Sequence, residues 1–440
     1  MTSSRRGFME GVGLLGLAAA TPAARAAGAG KAAVGLADPT EQAALQATLE
    51  RYASFGDKAS GGPGDTASGI WLEEALGRLG YTCRRQPFDV PFFDVSQATL
   101  ACGGARETVI PQAMVTPTGP QGLTAPLRLA SGHEDLSGAI ALIVLPYKRW
   151  VGLADPHVAK PLAEAIQSRA VGVVLVTTGP TGEAIALNVS PKRPAIEQPV
   201  AVLAPKDAEP YLAAADQGAT ATLILDGQGG GSQRRPAFNL VARLDRAAAQ
   251  TLIISTPRSG WFGCAAERGS GLAIWLSLAS WLARTHHRVN IELVATSGHE
   301  YEYLGGEHYL KESAPQPSST RLWVHIGASA AARDWHDFGA KLLPLPNADS
   351  QRVLTATADL LDQTRHAFQG ISGLEATYLA DKTMAGGELV NVLSAGYSSA
   401  IGLYGIHRYF HTRSDDLGCI TAAMVEPVAR AFRAAISAVL

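Results

Sequence analysis

Leu45, Leu49 and Tyr52 recur at helical spacing in PTEQAALQATLERYASFG, and Ile70, Leu72, Leu76 and Leu79 do so in TASGIWLEEALGRLGY, which Gly80 ends. Between these two predicted helices SGGPGD, rich in turn residues, predicts a break. From about Gln97 to Asp226 short β-branched runs take over: Ala141 to Leu145, Val171 to Val176, Val200 to Leu203 and Ala221 to Leu225. They alternate with the helical patterns AKPLAEAIQSRA and AEPYLAAADQGA, which predicts a compact α/β unit. DGQGGGSQRR, next in the chain, reads as a flexible polar linker. Beyond it come FNLVARL, the strand AQTLIIST, a helix with Leu272, Trp275, Leu276, Ala279 and Leu282 at spacings of three and four, and the strand RVNIELVAT.

The late strands are apolar almost without interruption, as expected of a sheet covered on both faces. The pattern predicts a layered α/β architecture rather than a barrel of hairpins. In open α/β sheets ligands meet the loops beyond the carboxyl ends of the strands. Here those loops are STPRSGWFGCAAERGSG, SGHEYEYLGG and HIGASAAARDWHD, whose polar groups are expected to share one crevice.

With 440 residues and 47% hydrophobic content the chain can bury one large core or two moderate ones. A formal net charge of -2 offers no general attraction for nucleic acid or an anionic membrane, which leaves small or peptide-like substrates open. Cys83, Cys102, Cys264 and Cys419 are too scattered for a disulfide framework or a thiolate knuckle, though one bridge is open to them. Arg5 and Arg6, the short apolar run Val12 to Ala20 and the small-x-small pattern Ala24-Arg25-Ala26 resemble a twin-arginine export signal spanning 1–26. The expectation is a periplasmic or extracellular protein with no membrane span in its mature part.

The stretch SGHEYEYLGGEHYL carries a histidine and a glutamate after a strand, but Tyr303 stands where the paired-histidine zinc motif has its second histidine. The order FNLVARL, strand, ERGSG opening a helix, strand, HEYEYLGG, a third strand and the closing FHTRSDD resembles instead the zinc aminopeptidases, a family that includes bacterial leucyl aminopeptidases, glutamate carboxypeptidase and the glutaminyl cyclases. The resemblance implies a three-layer α/β/α domain around a mixed, mostly parallel sheet, built from 27–96 and 227–440, with a protease-associated α/β insert at 97–226. It also implies zinc, here one ion.

Site residues carry over one by one. Thr256 and Arg258 stand where the family has His-x-Asp, so the histidine of its first zinc is missing. Glu267 falls at the bridging aspartate, with stabilisation of the helix dipole as the alternative role. His299 takes the general-base glutamate's place and Glu300 that of the adjoining metal ligand, while a hydrogen-bonded loop histidine is the other reading of His299. His325 matches an aspartate ligand or is a buried histidine, and His411, in FHTRSDD, matches the last ligand. Glu388 falls near where the family places a Ser-Asp-His loop, which implies an acid that orients a ligand or the substrate, with a solvated loop residue as the other reading. The resemblance therefore implies a peptide or amide hydrolase with one zinc on Glu267, Glu300 and His411, with His325 as a further ligand. The alternatives are a non-catalytic homologue that binds peptides and a single-zinc cyclase or transferase.

Overall fold

This computed structural model describes residues 38, 40–132, 135–192, 196–339, 341–381 and 383–440, so the expected export signal lies outside the described residues. Helices α1 (Gln42–Ala53) and α2 (Pro63–Arg78) lead into the long strand β1 (Thr82–Cys102). Strands β2 (Ala105–Thr108), β3 (Ile110–Pro111), β4 (Leu123–Leu129) and β5 (Ile140–Val144) precede α3 (Pro156–Gln167), β6 (Gly172–Val176), β7 (Val200–Leu203) and α4 (Glu209–Asp216). A second long strand, β8 (Thr220–Leu244), returns to β9 (Thr251–Pro257), α5 (Gly269–Leu282), β10 (Asn290–Thr296), α6 (Leu304–Glu312) and β11 (Thr320–Ile326). The hairpin β12 (Arg333–Phe338) and β13 (Lys341–Ala348) follows, then β14 (Arg352–Ala356), α7 (Leu361–Ala367), β15 (Thr377–Leu379), α8 (Leu389–Ser394), β16 (Ala400–Gly405) and α9 (Ala422–Val439).

The strands form a mixed sheet, ordered β15-β14-β16-β11-β9-β10-β8-β4-β5-β6-β7-β3, with β1 alongside β8. Its centre is parallel: β10 and β11 flank β9, and β16 follows β11 in the same direction. Successive residues of these strands serve opposite faces. Leu252, Ile254, Leu293 and Ala295 pack in one core with α1, α2, α5 and α9, while Ile253 and Val294 pack in another with Tyr309, Leu389 and Val392 of α6 and α8. Each leucine, isoleucine or valine so withdrawn from water contributes roughly 1.5–3 kcal/mol, which is how a three-layer α/β/α arrangement holds together. The expected stripe on α5 widens to nearly the whole helix, because α1 and α9 cover the side away from the sheet.

Two expectations are corrected. The glycine-rich stretch after Asp226 is not a flexible linker but the middle of β8, paired with β1 through Asp94↔Gln228, Phe93↔Gly229 and Val90↔Arg235. Gly229, at φ +100°, sits where the register shifts, and a Cβ there would lie 2.5 Å from the Phe92 carbonyl, so the glycine serves a bulge. Helix α2 also begins earlier than its apolar pattern, with Pro63 in its first turn.

Residues Asp38–Leu440 form one compact unit. One hydrophobic cluster has all its buried residues within 97–226, with Phe93 packed against it from outside, whereas a second is shared with Phe88, Val90, Ala237 and Tyr301. All four cysteines are free thiols, so the bridge left open by the sequence does not form.

Candidate functional site

Parallel pairing places Thr256 opposite Ala295 and Ser255 opposite His325, so β9, β10 and β11 end together and their three loops meet as expected. The loop after β16 joins them, since Asp415 accepts the backbone N–H groups of Ala266 and Glu267 at 2.8 and 3.0 Å.

The two residues at the His-x-Asp positions are structural ties. Thr256 donates its hydroxyl to the Ile326 carbonyl at 2.8 Å. Arg258, fully buried, donates to the carbonyls of Ala295 and Phe238 at 2.9 and 2.7 Å and lies 3.0 Å from the Asp65 carboxylate.

Glu267 and the neighbouring Arg268 are both withdrawn from solvent, with Arg268 Nη2 2.7 Å from Glu267 Oε1. His411 Nε2 approaches that same oxygen at 3.4 Å. Burial alone would raise the Glu267 carboxyl, but the Arg268 guanidinium and His411 outweigh it and bring it down to about 2. His411 Nδ1 donates to the Ala186 carbonyl at 2.9 Å, which turns Nε2 towards Glu267.

Glu300 faces elsewhere. Its Oε2 accepts hydroxyls from Ser60 at 2.7 Å and Ser259 at 2.8 Å, and burial raises the carboxyl to about 7 despite both. His299 is oriented by Glu388: Nδ1 lies 3.2 Å from Oε1, which also accepts the Thr296 hydroxyl at 2.7 Å. With the carboxylate accepting, Nδ1 holds the proton and Nε2 presents its lone pair. Burial and Arg268 hold the His299 imidazole well below its ordinary range, hence neutral at pH 7. Glu388 is therefore not the solvated loop residue it was allowed to be: it is 3% exposed, and burial raises its carboxyl.

His325 is buried, and a serine rather than a backbone carbonyl partners its Nδ1, while Nε2 has no hydrogen-bond partner among the described residues. Its Nδ1 lies 2.9 Å from Ser255 Oγ, which accepts the Trp323 indole N–H at 2.8 Å. Burial lowers the imidazole to about 4. A Cβ on Gly387 would sit 3.5 Å from His325 Nε2 and 4.0 Å from His299 Cε1, so the two rings neighbour one another across that glycine.

The four candidate ligands thus gather in one buried region without converging on one point. Glu267 Oε1 and His411 Nε2 have the spacing of two donors on one ion, but Glu300 is turned onto its serines and a guanidinium already compensates Glu267. Among the described residues, the group of His, Cys, Asp or Glu whose donor atoms all lie within 4.8 Å of one another is His407, Asp415 and Cys419, outside the predicted set. Glu267 Oε1 and Oε2 and the Nε2 atoms of His411 and His325 are buried with no hydrogen-bond partner among the described residues, but with Glu300 Oε2 held by two serines these side chains do not assemble the three-ligand zinc centre that their sequence positions imply.

Sequence reasoning passed over Ser60, Ser259, Asp65 and Arg268. Arg268 stood inside the quoted ERGSG, and its charge beside a ligand candidate was the available signal. It also missed the segment around Ala186, which closes over the site: Val189 donates to the Glu300 carbonyl, and Trp261 reaches Asn188. A cavity of about 340 Å3 adjoins these loops, bounded by Phe92, Arg235, Trp261, Phe262, Tyr301 and Arg413. A smaller apolar cavity of about 190 Å3, lined by Leu162 and Ile166 of α3, lies further into 97–226.

No protein-family model matches the chain, and no curated protein matches it by sequence. Solved structures do. BSAP, a zinc aminopeptidase from Bacillus subtilis, is similar with a TM-score of 0.70 and 18% identity, over 91% of this chain and 95% of that one. The fold is that of the zinc aminopeptidases. A peptidase M28 precursor from Shewanella amazonensis SB2B matches with a TM-score of 0.65 and 16% identity, over 90% of this chain and 96% of that one. An aminopeptidase from Aneurinibacillus sp. strain AM-1 gives 0.63 and 15%, over 91% and 94%. The zinc-aminopeptidase fold accounts for the common edge where β9, β10 and β11 end, while the side chains at that edge are this chain's own.

Proposed function

We propose that the chain is an exported hydrolase of peptide or amide bonds, working in the crevice above β9, β10 and β11. The observation that carries this reading is the His299–Glu388 pair: a neutral imidazole, held by a buried carboxylate through Nδ1, at the position where the fold's peptidases are expected to keep their base. In this role His299 Nε2 takes a proton from water as its oxygen attacks the carbonyl carbon, then delivers that proton to the departing nitrogen. Glu388 keeps the ring in the tautomer both transfers need. The cavity bounded by Trp261, Phe262 and Tyr301, with Arg235 and Arg413 at its wall, has the size and the mix of aromatic and charged groups to receive a side chain of such a substrate. Export by the twin-arginine route rests on Arg5, Arg6 and the apolar run after them. Among the described residues no helix is long and apolar enough to cross a membrane.

The test is to incubate the mature chain with a mixed set of peptides and simple amides and follow products by mass. Cleavage that disappears in His299→Ala supports the reading, and cleavage equal in both proteins sinks it. A second reading, a binding protein without turnover, is favoured by the use of Thr256 and Arg258 as structural ties. It predicts ligand binding that calorimetry detects in wild type and His299→Ala alike, with no product from either.

A further inference from the structure

We infer that the centre of this site is built around a resident guanidinium: Arg268 supplies the positive charge that a divalent ion would supply, and the site assembles without one. Three features of the donor set lead there. Glu267, the candidate bridging ligand, already has Arg268 Nη2 2.7 Å from Oε1, with both side chains fully buried. A dication on that oxygen would add its charge beside a guanidinium in a region of low dielectric, where like charges repel strongly. At the His-x-Asp positions a second buried cation, Arg258, is matched by Asp65 at 3.0 Å. Glu300, the remaining carboxylate of the predicted set, is committed to Ser60 and Ser259.

Arg268 is also fixed as a positioned charge rather than a mobile side chain. Its Nε donates to the Ser259 carbonyl at 2.8 Å, tying it to the serine that holds Glu300. Its Nη1 and Nη2 are both buried with no hydrogen-bond partner among the described residues, as are both carboxylate oxygens of Glu267, so the 2.7 Å approach of Nη2 to Oε1 is an ion pair without a formed hydrogen bond. That leaves a guanidinium N–H available to a ligand's carbonyl or carboxylate oxygen, the role an ion has in the fold's metallopeptidases.

The experiment is metal analysis of the full exported chain purified without chelator or metal-affinity resin, paired with melting temperatures in EDTA and in added zinc. The expected result is substoichiometric metal and a melting temperature that neither additive moves. Arg268→Met, which leaves Glu267 with His411 but without its guanidinium, is expected to melt lower and to be raised by zinc, because the vacated position then favours a cation. Should that variant fail to fold, Glu267→Gln/Arg268→Met removes both charges and is expected to fold and ignore zinc. Stoichiometric zinc in wild type that Glu267→Gln loses, or a wild-type melting temperature lowered by EDTA, overturns the inference. Its fate is separable from the hydrolase reading: absence of turnover in metal-free protein removes that reading alone, and tightly held zinc in an active enzyme removes this inference alone.

Discussion

His299 Nδ1 lies 3.2 Å from Glu388 Oε1, joining the loop after β10 to the start of α8 across 89 positions of sequence. Both groups are buried, and Thr296 at the end of β10 steadies the shared oxygen through its hydroxyl.

If this pair positions the base, Glu388→Gln should lower kcat by up to ~10⁴-fold, the effect of replacing the carboxylate that fixes the tautomer of a general-base histidine. KM should change little, and the pH profile of kcat should shift because the imidazole loses its partner. A loss confined to KM would instead make Glu388 a substrate contact. Steady-state kinetics across pH distinguishes the two.

Glu300 gives a pH signature in stability. Its carboxyl is raised from 4.5 to about 7, so the folded chain binds more protons than the unfolded chain between those values. The stabilisation is fully present below 4.5 and is lost as pH rises through about 7. At ~1.4 kcal/mol per decade of acidity the effect is on the order of 3 kcal/mol. Glu300→Gln removes it, so the variant should gain on wild type steadily from pH 4.5 to 7 and no further above. His325, lowered to about 4, acts in the opposite sense, so the difference between the two melting curves is the quantity to follow.

Arg258→Met should cost about 3–5 kcal/mol, because it strands the buried Asp65 carboxylate. Arg258→Lys should recover only part, since one ammonium cannot reach Asp65, Ala295 and Phe238 as the guanidinium does. Urea unfolding of the three proteins checks the order. Equal stability of the Lys variant and wild type would mean that charge alone matters.

The bond between Arg234 and Arg235 lies within β8, opposite Pro91 and Val90. Limited trypsin digestion of the native chain should leave it intact over times that cut exposed loops. Rapid cleavage there, giving two fragments that separate only on denaturation, would return the segment to a linker.

Element type and order were legible in the sequence because side-chain periodicity is local: the apolar runs of β9 and β10, the spacing on α1 and the β-branched runs of β5, β6 and β7 each report a few residues' surroundings. The same locality failed at DGQGGGSQRR, where composition suggests flexibility but a partner strand more than a hundred residues earlier in the chain supplies the hydrogen bonds. The positions of His299, Glu300 and Glu267 near one edge also followed from strand order, and that of His411 from the family resemblance. What each of them does was decided only by the tertiary structure. Ser60 reaches Glu300 across 240 positions, Ala186 reaches His411 across 225, and Asp65 meets Arg258 from helix α2. Whether a buried carboxylate faces an ion, a guanidinium or a hydroxyl depends on which distant groups share its low-dielectric surroundings, and no local pattern encodes that.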